Sequence, residues 1–418
     1  MILYNLLRVL LYFIIMILSI FNKKLLNFFK TRLFQKMENN NFLNNNEKAI
    51  LVHFSSVGEF NLSKELIEKI LQARKGEKNQ KVILSVMTDT GFSAVSKIYS
   101  EDKNVKIFYF PLDDFFAMKK IYKKYKIEKT IVVETEIWPN LYYFAQKNGQ
   151  LFIVNGRLTE KKLKSYLKFG WLIRKTLNCA TKIMVQSIPD KERYERLGID
   201  KNKIKVYKNL KYSIKYNKIS NEQKKYYLDT IIDKNKKVIV CGSTRPNEEK
   251  IWLEVFKMIN IDNEYQLVLV PRHLERLGEI ENIILEKFSK DDYSLITQIE
   301  KEKINFKTQD WKKIIVVDKM GVLTDFYQLA DFVFVGGTLV DIGGHSILEP
   351  LYYGKKPIIG EYFQNIEEIV KDAKELGFAE IVKNKDEIIE YLKKSENIDT
   401  REFFEKNNEI DKILNEIC

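Results

Sequence analysis

The sequence predicts an α/β protein of two Rossmann-like halves behind an N-terminal membrane-associated helix. Three observations lead there. Short apolar runs alternate with longer amphipathic stretches along most of the chain, a charged passage interrupts that alternation once near the middle, and the first residues form an uncharged aliphatic run flanked by basic ones. At 418 residues the chain is long for one core, while 45% apolar residues and only 7 prolines are a globular composition.

Val9 to Phe21 is the aliphatic run, with Arg8 before it and Lys23, Lys24, Lys30, Arg32 and Lys36 after it. No small-x-small cleavage site follows, which argues against a removed signal peptide. The run is shorter than the ~20 residues a bilayer span needs, although Met1 to Leu7 extend it if Arg8 snorkels. Leu25, Leu26, Phe28 and Phe29 continue an apolar face beside the basic one, which suits a helix lying in the headgroup plane. Spanning and lying both fit residues 1–36. In either case the basic cluster places the rest of the chain on the cytoplasmic side.

After an Asn-rich stretch, Asn39 to Asn46, a first domain is expected over 47–212. Its strands are Ala49–Phe54, Val82–Met87, Val105–Phe110, Thr130–Val133, Leu151–Val154 and Ile183–Gln186, with helices such as Asn61–Ala73 and Phe92–Ile98 between them. The charged passage 213–236 has no strand signal and reads as a linker. A second domain, 237–418, repeats the pattern with strands Lys237–Cys241, Gln266–Pro271, Ile314–Val317, Phe332–Val335 and Pro357–Ile359 and helices such as Asn247–Met258 and Ile347–Tyr353. The last helix is a candidate to pack back on the first domain. Two such domains facing across a cleft would bind ligands beyond the carboxyl ends of their strands.

The net charge of +13, from 70 basic and 57 acidic residues, favours an anionic partner: nucleic acid, a phosphate-bearing substrate or an acidic membrane. A generally Lys-rich soluble surface explains the same excess. Nucleic acid is disfavoured, because the Lys-rich segments lack interleaved aromatic residues. Cys179, Cys241 and Cys418 are far apart and odd in number, with no metal-ligand spacing, which fits a reducing compartment.

Several clusters fall at strand ends. In Ser55-Ser56-Val57-Gly58-Glu59, Gly58 permits a tight turn and Glu59 opens the next helix, either stabilising its N-terminus or serving as a general base. In Glu134-Thr135-Glu136-Ile137-Trp138-Pro139-Asn140, the two carboxylates can bind hydroxyls, anchor the loop or assist proton transfer, and spacing does not choose. Arg157 can clamp a phosphate or carboxylate, or form a surface ion pair. Gly242-Ser243-Thr244-Arg245 either receives an anion on free N–H groups or caps a helix through Ser243 or Thr244. Arg272-His273 closes another strand. Gly336-Gly337-Thr338 and Gly343-Gly344-His345-Ser346 let a ligand approach the backbone, and a helix opening at Ser346 would aim N–H groups at a phosphate, with Glu349 placed for ribose hydroxyls. A structural turn is the competing account. Neither a dinucleotide fingerprint nor a Walker loop is present.

Taken in order, Ser56-Val57-Gly58-Glu59, Glu134 through Asn140, Asn155-x-Arg157-Leu158, Gln186-Ser187, Asn209-Leu210-Lys211, Pro271-Arg272-His273, Met320-Gly321, Gly336-Gly337, Gly343-Gly344-His345 and Leu348-Glu349-Pro350 resemble the 3-deoxy-D-manno-octulosonic acid (Kdo) transferases of lipopolysaccharide synthesis. The resemblance runs from the membrane segment to about Glu380. It implies a GT-B fold, CMP-Kdo held by the second domain, a lipid A precursor (lipid IVA) held by the first, and inverting transfer with no cofactor and no metal ion. It assigns Glu59 as the base. It places Arg272, His273, Met320, Gly321, Gly337, Thr338 and Gly344 through Glu349 around CMP, with Lys211 toward the donor's charged groups. Ser56, Gly58, Glu134, Glu136, Arg157 and Ser243 complete the expected substrate contacts. The expected partners are CMP-Kdo, the lipid A precursor and inner-membrane lipids, without nucleic acid.

Three positions depart from the family's usual pattern: Ser346-Ile347 stands for Asn-Pro, Lys208 for Gly, and Arg245-Pro246 for a His-containing pair. Two other readings compete. One is a GT-B transferase using a UDP- or GDP-sugar on a membrane lipid; the other is an inactive membrane-tethered protein that binds an anionic ligand.

Overall fold

The computed structural model describes residues 2–35, 42–44, 47–73, 80–302, 311–394 and 398–418; Lys36 of the basic cluster and most of the Asn-rich stretch lie outside them. The chain divides into two compact units, one of residues 1–215 with 408–418 and the other of residues 216–407.

The first unit is built on seven parallel strands: β1 (Ala49–Phe54), β2 (Lys81–Val86), β3 (Val105–Tyr109), β4 (Ile127–Val133), β5 (Gln150–Gly156), β6 (Lys182–Val185) and β7 (Ile204–Val206). Their order across the sheet is β3-β2-β1-β4-β5-β6-β7, the doubly wound arrangement whose switch point lies between β1 and β4. All six residues of β1 are buried, as a strand covered on both faces requires. Ala49 and Leu51 point into one apolar layer, while Ile50, Val52 and Phe54 point into the other. The C-terminal helix Ile410–Ile417 seats Ile410, Ile413 and Ile417 in that second layer, and Lys69 pairs with Asp411 at 2.7 Å.

The second unit has β8 (Lys237–Thr244), β9 (Tyr265–Pro271), β10 (Tyr293–Leu295), β11 (Ile314–Val316), β12 (Phe332–Val335), β13 (Pro357–Ile359) and β14 (Glu380–Ile381). Their order is β10-β11-β9-β8-β12-β13-β14, again parallel, with the switch point between β8 and β12.

The passage 213–236, read as a linker, is structured and almost wholly part of the second unit. It contains helix Asn221–Thr230, which buries Tyr227, followed by buried Ile231 and Ile232. Most of its other residues are charged or polar, and of its apolar side chains only Tyr227, Ile231 and Ile232 are fully buried, so the apolar anchor is too sparse to show a period.

Before β1, residues Ile2–Ser19 and Lys23–Leu33 form two helices. The first is long and apolar enough to cross a membrane by length and composition.

Candidate active site

At the switch point of the first unit, the loop after β1 runs straight into helix Val57–Gln72. Ser56 caps that helix: its Oγ accepts from Glu59 N–H at 3.3 Å, while Glu59 Oε2 accepts from Ser55 N–H and, at 3.2 Å, from Ser56 N–H. This is a capping box, so the helix-stabilising role of Glu59 is real. The base reading keeps its ground as well. Burial pushes the Glu59 carboxyl up to about 7 against the pull of the Ser55 N–H, and the charges of Glu136 and Glu134 push the same way. A carboxyl poised there can exchange a proton near neutrality.

Gly58 corrects one expectation. It lies inside the helix rather than in a tight turn, and a Cβ there would meet only Ser56 Oγ at 3.7 Å.

The neighbouring loop after β4 supplies the other two carboxylates. Glu134 takes the left-handed backbone at φ 61, and burial raises its carboxyl while Lys162 and Arg157 pull it down. Glu136 Oε2 accepts from Trp138 Nε1 at 3.1 Å, which ties the carboxylate to the ring. Thr135 Oγ1 donates to Arg157 C=O at 2.6 Å and accepts Arg157 N–H at 3.0 Å, so the two loops are laced together and the Arg157 side chain is left at the surface. Three acidic groups on adjacent loops, with the basic side chains of Lys162 and Arg157 beside them, suit a site that binds hydroxyls and removes a proton.

Lys211 stands in the short 3₁₀ turn Leu210–Ser213, with its N–H held by Asn209 Oδ1 at 2.9 Å and its ammonium 5.1 Å from the centre of the Tyr212 ring. Asn155 Oδ1 accepts from Leu210 N–H at 3.0 Å, and Asn209 Nδ2 donates to Gln186 Oε1. These motif residues therefore brace the end of the sheet.

In the second unit the centre of the site is Arg245, which the sequence placed in a strand-end cluster and marked as a departure but gave no side-chain role. Its Nε donates to His345 Nε2 at 3.1 Å, and its Nη1 lies 2.7 Å from His273 Nε2. His345 is driven down to about 4 by burial first, then by Arg245, Arg272 and His273. Arg272 is exposed, with its N–H on Thr244 C=O at 3.1 Å. Its charge pulls down the Glu349 carboxyl, which burial raises. Arg245, Arg272, His273, His345 and Glu349 thus form one group at the ends of β8 and β9, in the loop after β12 and in the short helix Leu348–Tyr352 that follows it. Two guanidinium groups in it can receive a phosphate or carboxylate.

Glycine is required where His345 comes closest: a Cβ on Gly337, at φ 75, would stand 3.3 Å from His345 Cδ2. Gly344, at φ 84, donates its N–H to Gly337 C=O at 2.7 Å and so fixes the return of the loop.

Two anion seats expected from the sequence are filled by the protein itself. Glu248, fully buried, accepts N–H groups of Arg245 (2.9 Å), Gly337 (2.8 Å), Thr338 (3.0 Å) and Leu339 (3.0 Å). The backbone of Gly337 and Thr338 is therefore committed to Glu248, and Thr338 is buried with Oγ1 on Val335 C=O at 2.7 Å. Ser243, at φ 55, caps nothing: helix Glu248–Ile259 has Asn247 at its cap, and Thr244 Oγ1 donates to Glu249 Oε1 at 2.7 Å.

The helix expected to open at Ser346 starts at Leu348 and is five residues long, with Ser346 Oγ on Leu348 N–H at 3.3 Å. Pro350 and the turn at Tyr353 leave it no room to extend as an N-terminal anion seat. Met320 and Gly321 occupy an exposed turn between β11 and helix Leu323–Leu329, with Gly321 at φ 84 and open space around it.

The sequence signature of the family described as 3-deoxy-D-manno-octulosonic-acid transferase (kdotransferase) matches residues 29–214. A bifunctional glycosyltransferase/methyltransferase of Fusobacterium nucleatum is 40% identical over 370 residues, which cover 86% of this chain and 55% of that protein. The chain therefore spans about half the length of that relative. A 3-deoxy-D-manno-octulosonic acid transferase of Haemophilus influenzae is 29% identical, over 78% of this chain and 73% of that one. A glycosyltransferase structure from Rickettsia africae superposes with a TM-score of 0.52 at 14% identity, covering 89% of this chain and 97% of that one, a likeness of fold that fits GT-B. With this order of motifs, the chain is similar to the 3-deoxy-D-manno-octulosonic acid transferases, and its residues 29–214 carry the sequence signature of that family.

Proposed function

We propose that the chain transfers Kdo from CMP-Kdo to a lipid A precursor, with inversion, at the cytoplasmic face of the inner membrane. The observation that carries this reading is Glu59: a carboxyl held by two backbone N–H groups at a sheet switch point, brought to about 7, with Glu134 and Glu136 beside it. A ketosidic donor reacts through an oxocarbenium-like centre as the CMP phosphate departs, and inversion requires an acceptor hydroxyl on the opposite face. Glu59 removes the proton from that hydroxyl.

Charge on the departing CMP is met by Arg245 and Arg272, with Lys211 toward the donor's carboxylate, so that the proposed route needs no metal ion. Glu349, beside Arg272, receives the ribose hydroxyls. Basic residues of the first unit and the N-terminal helices hold the phosphorylated acceptor at the bilayer, which gives the +13 charge a use.

The test is incubation of the purified protein with CMP-Kdo and a tetra-acylated lipid A precursor, followed by mass spectrometry of the lipid. A mass increase of one or more Kdo units supports the proposal. No product, together with thermal protection by UDP or GDP and none by CMP, would assign the site to a different donor.

A further inference from the structure

The first helix, Ile2–Ser19, turns one narrow face toward protein. Tyr4, Asn5, Arg8, Tyr12, Ile15 and Ser19 are its least exposed positions, at the spacing of a single stripe along its whole length. Apart from Ile15 the stripe is polar, and the partners of Tyr4, Asn5, Arg8 and Tyr12 belong to the body of the first unit. Tyr4 OH donates to Asp113 Oδ2 at 2.8 Å, and Arg8 Nη2 meets Asp114 Oδ2 at 2.7 Å. Asn5 and Asn140 exchange amide hydrogen bonds at 3.1 and 2.7 Å, and Tyr12 OH donates to Leu112 C=O. The opposite face is bare hydrocarbon: Leu3, Leu6, Leu10, Phe13 and Ile17 are exposed, and Phe21 just beyond is 89% exposed.

The second helix is docked as well. Arg32, with no exposed surface, donates from Nε to Met87 C=O at 2.8 Å and pairs with Asp89 at 2.8 Å. Gln35 then exchanges hydrogen bonds with Tyr109 at the edge of the first sheet, at 2.6 and 3.1 Å.

We infer that the first helix does not cross the bilayer but lies in its interface, as a monotopic anchor whose polar stripe is fixed to the first unit and whose apolar face enters lipid. Tyr4 to Tyr12 covers about 12 Å of helix axis. In a spanning helix those residues would sit deep in hydrocarbon, and they would carry Asp113, Asp114 and Asn140 with them. Asp114 caps helix Phe115–Tyr125, which bears Lys119, Lys120, Lys123 and Lys124, and a tetralysine helix cannot follow it into a bilayer. Breaking the contacts instead would strand Arg8 in lipid without Asp114. The occupant of the exposed face is a bilayer with anionic headgroups. Lys23, Lys24 and Lys30 on the following helix supply the complementary charge.

This inference rests on the membrane attachment proposed above, and one experiment separates the two. Leu3→Cys, Leu10→Cys and Ile17→Cys, seven residues apart and thus on one face, are made singly in the full chain carrying Cys179→Ser and Cys418→Ser. Cys241 is buried and does not react. Each variant is spin-labelled and bound to phosphatidylethanolamine vesicles containing phosphatidylglycerol. Immersion depth is then read from the collision ratio of oxygen to a nickel chelate. An in-plane helix gives similar, shallow depths at all three positions. A depth that peaks at residue 10 and falls toward 3 and 17 would show a span and overturn the inference, leaving membrane attachment intact. Protein that stays in solution with the vesicles would overturn both. In the bound protein, Arg8→Leu combined with Asp114→Leu is expected to spread the three depths apart; unchanged depths there would deny the stripe its positioning role.

Discussion

Arg245 bonds two imidazoles at once, donating to His345 Nε2 at 3.1 Å and standing 2.7 Å from His273 Nε2. A guanidinium has no acceptor, so His345 Nε2 must accept, and the neutral His345 ring carries its proton on Nδ1. Burial and the neighbouring cations hold His345 at about 4, and Arg245→Ala removes one of those cations together with its hydrogen bond. The expected result is an upward shift of the His345 titration. The chain has only three histidines, and His53 is buried and held down to about 3, so an imidazole NMR titration reads the change directly. A His345 midpoint unmoved by the substitution would mean that burial alone sets it.

Glu59→Gln tests the proposed base. A glutamine can still accept at the cap, so the variant should fold, bind CMP and lose transfer by at least ~10²-fold. The parent's transfer rate should rise with pH through about 7, as the carboxyl loses its proton.

Stability gives an independent reading of the same group. A folded value of about 7 against an ordinary 4.5 means that the folded state binds the extra proton between those values. The stabilisation is full below 4.5 and is lost as pH rises through 7. Glu59→Gln, neutral throughout, should therefore gain in Tm relative to the parent as pH increases across that window. A difference in Tm independent of pH would show that the carboxyl is not perturbed.

Much of this arrangement can be read from the sequence. β1, β12 and β13 are apolar runs with sharp ends, and their boundaries are those expected. The unread strands β7, β10 and β14 are sheet edges of three, three and two residues, too short to show a period. Among the candidate residues, Glu59, Glu134, Arg272 and Glu349 stand out because each follows a strand or glycine-rich turn.

Arg245 also follows a strand, yet neither its side-chain role nor that of Glu248 can be read from position. Their roles depend on partners 100 and 89 residues away, His345 and Gly337, and no local pattern encodes such contacts. The same long-range bonds explain why Gly337 and Thr338 looked like an open anion cradle, since the carboxylate that fills it comes from another strand end.

Glu248→Ala should show what that carboxylate supports. Four backbone N–H groups would lose the fully buried carboxylate that accepts from them, at a cost of about 3–5 kcal/mol to the second unit. Glu248→Gln keeps one acceptor oxygen but turns an NH₂ toward other N–H groups, so it should recover only part of the loss. Urea unfolding of the two variants measures the difference. Equal stability of Glu248→Ala and parent would mean that the loop finds other partners.

Ile413→Ala reports on the first unit instead. Ile413 comes from the last helix, yet it is buried in the layer that also holds Ile67 and Leu210, far from it in sequence. Removing three buried carbons there should destabilise the first unit by about 2–4 kcal/mol through lost transfer energy and the cavity left behind. The CMP contacts proposed here lie between Arg245 and Glu349, in residues that share no layer with Ile413, so CMP affinity measured by calorimetry should stay within about twofold. A large loss of CMP affinity would show that the last helix supports the nucleotide site as well as the core it packs into.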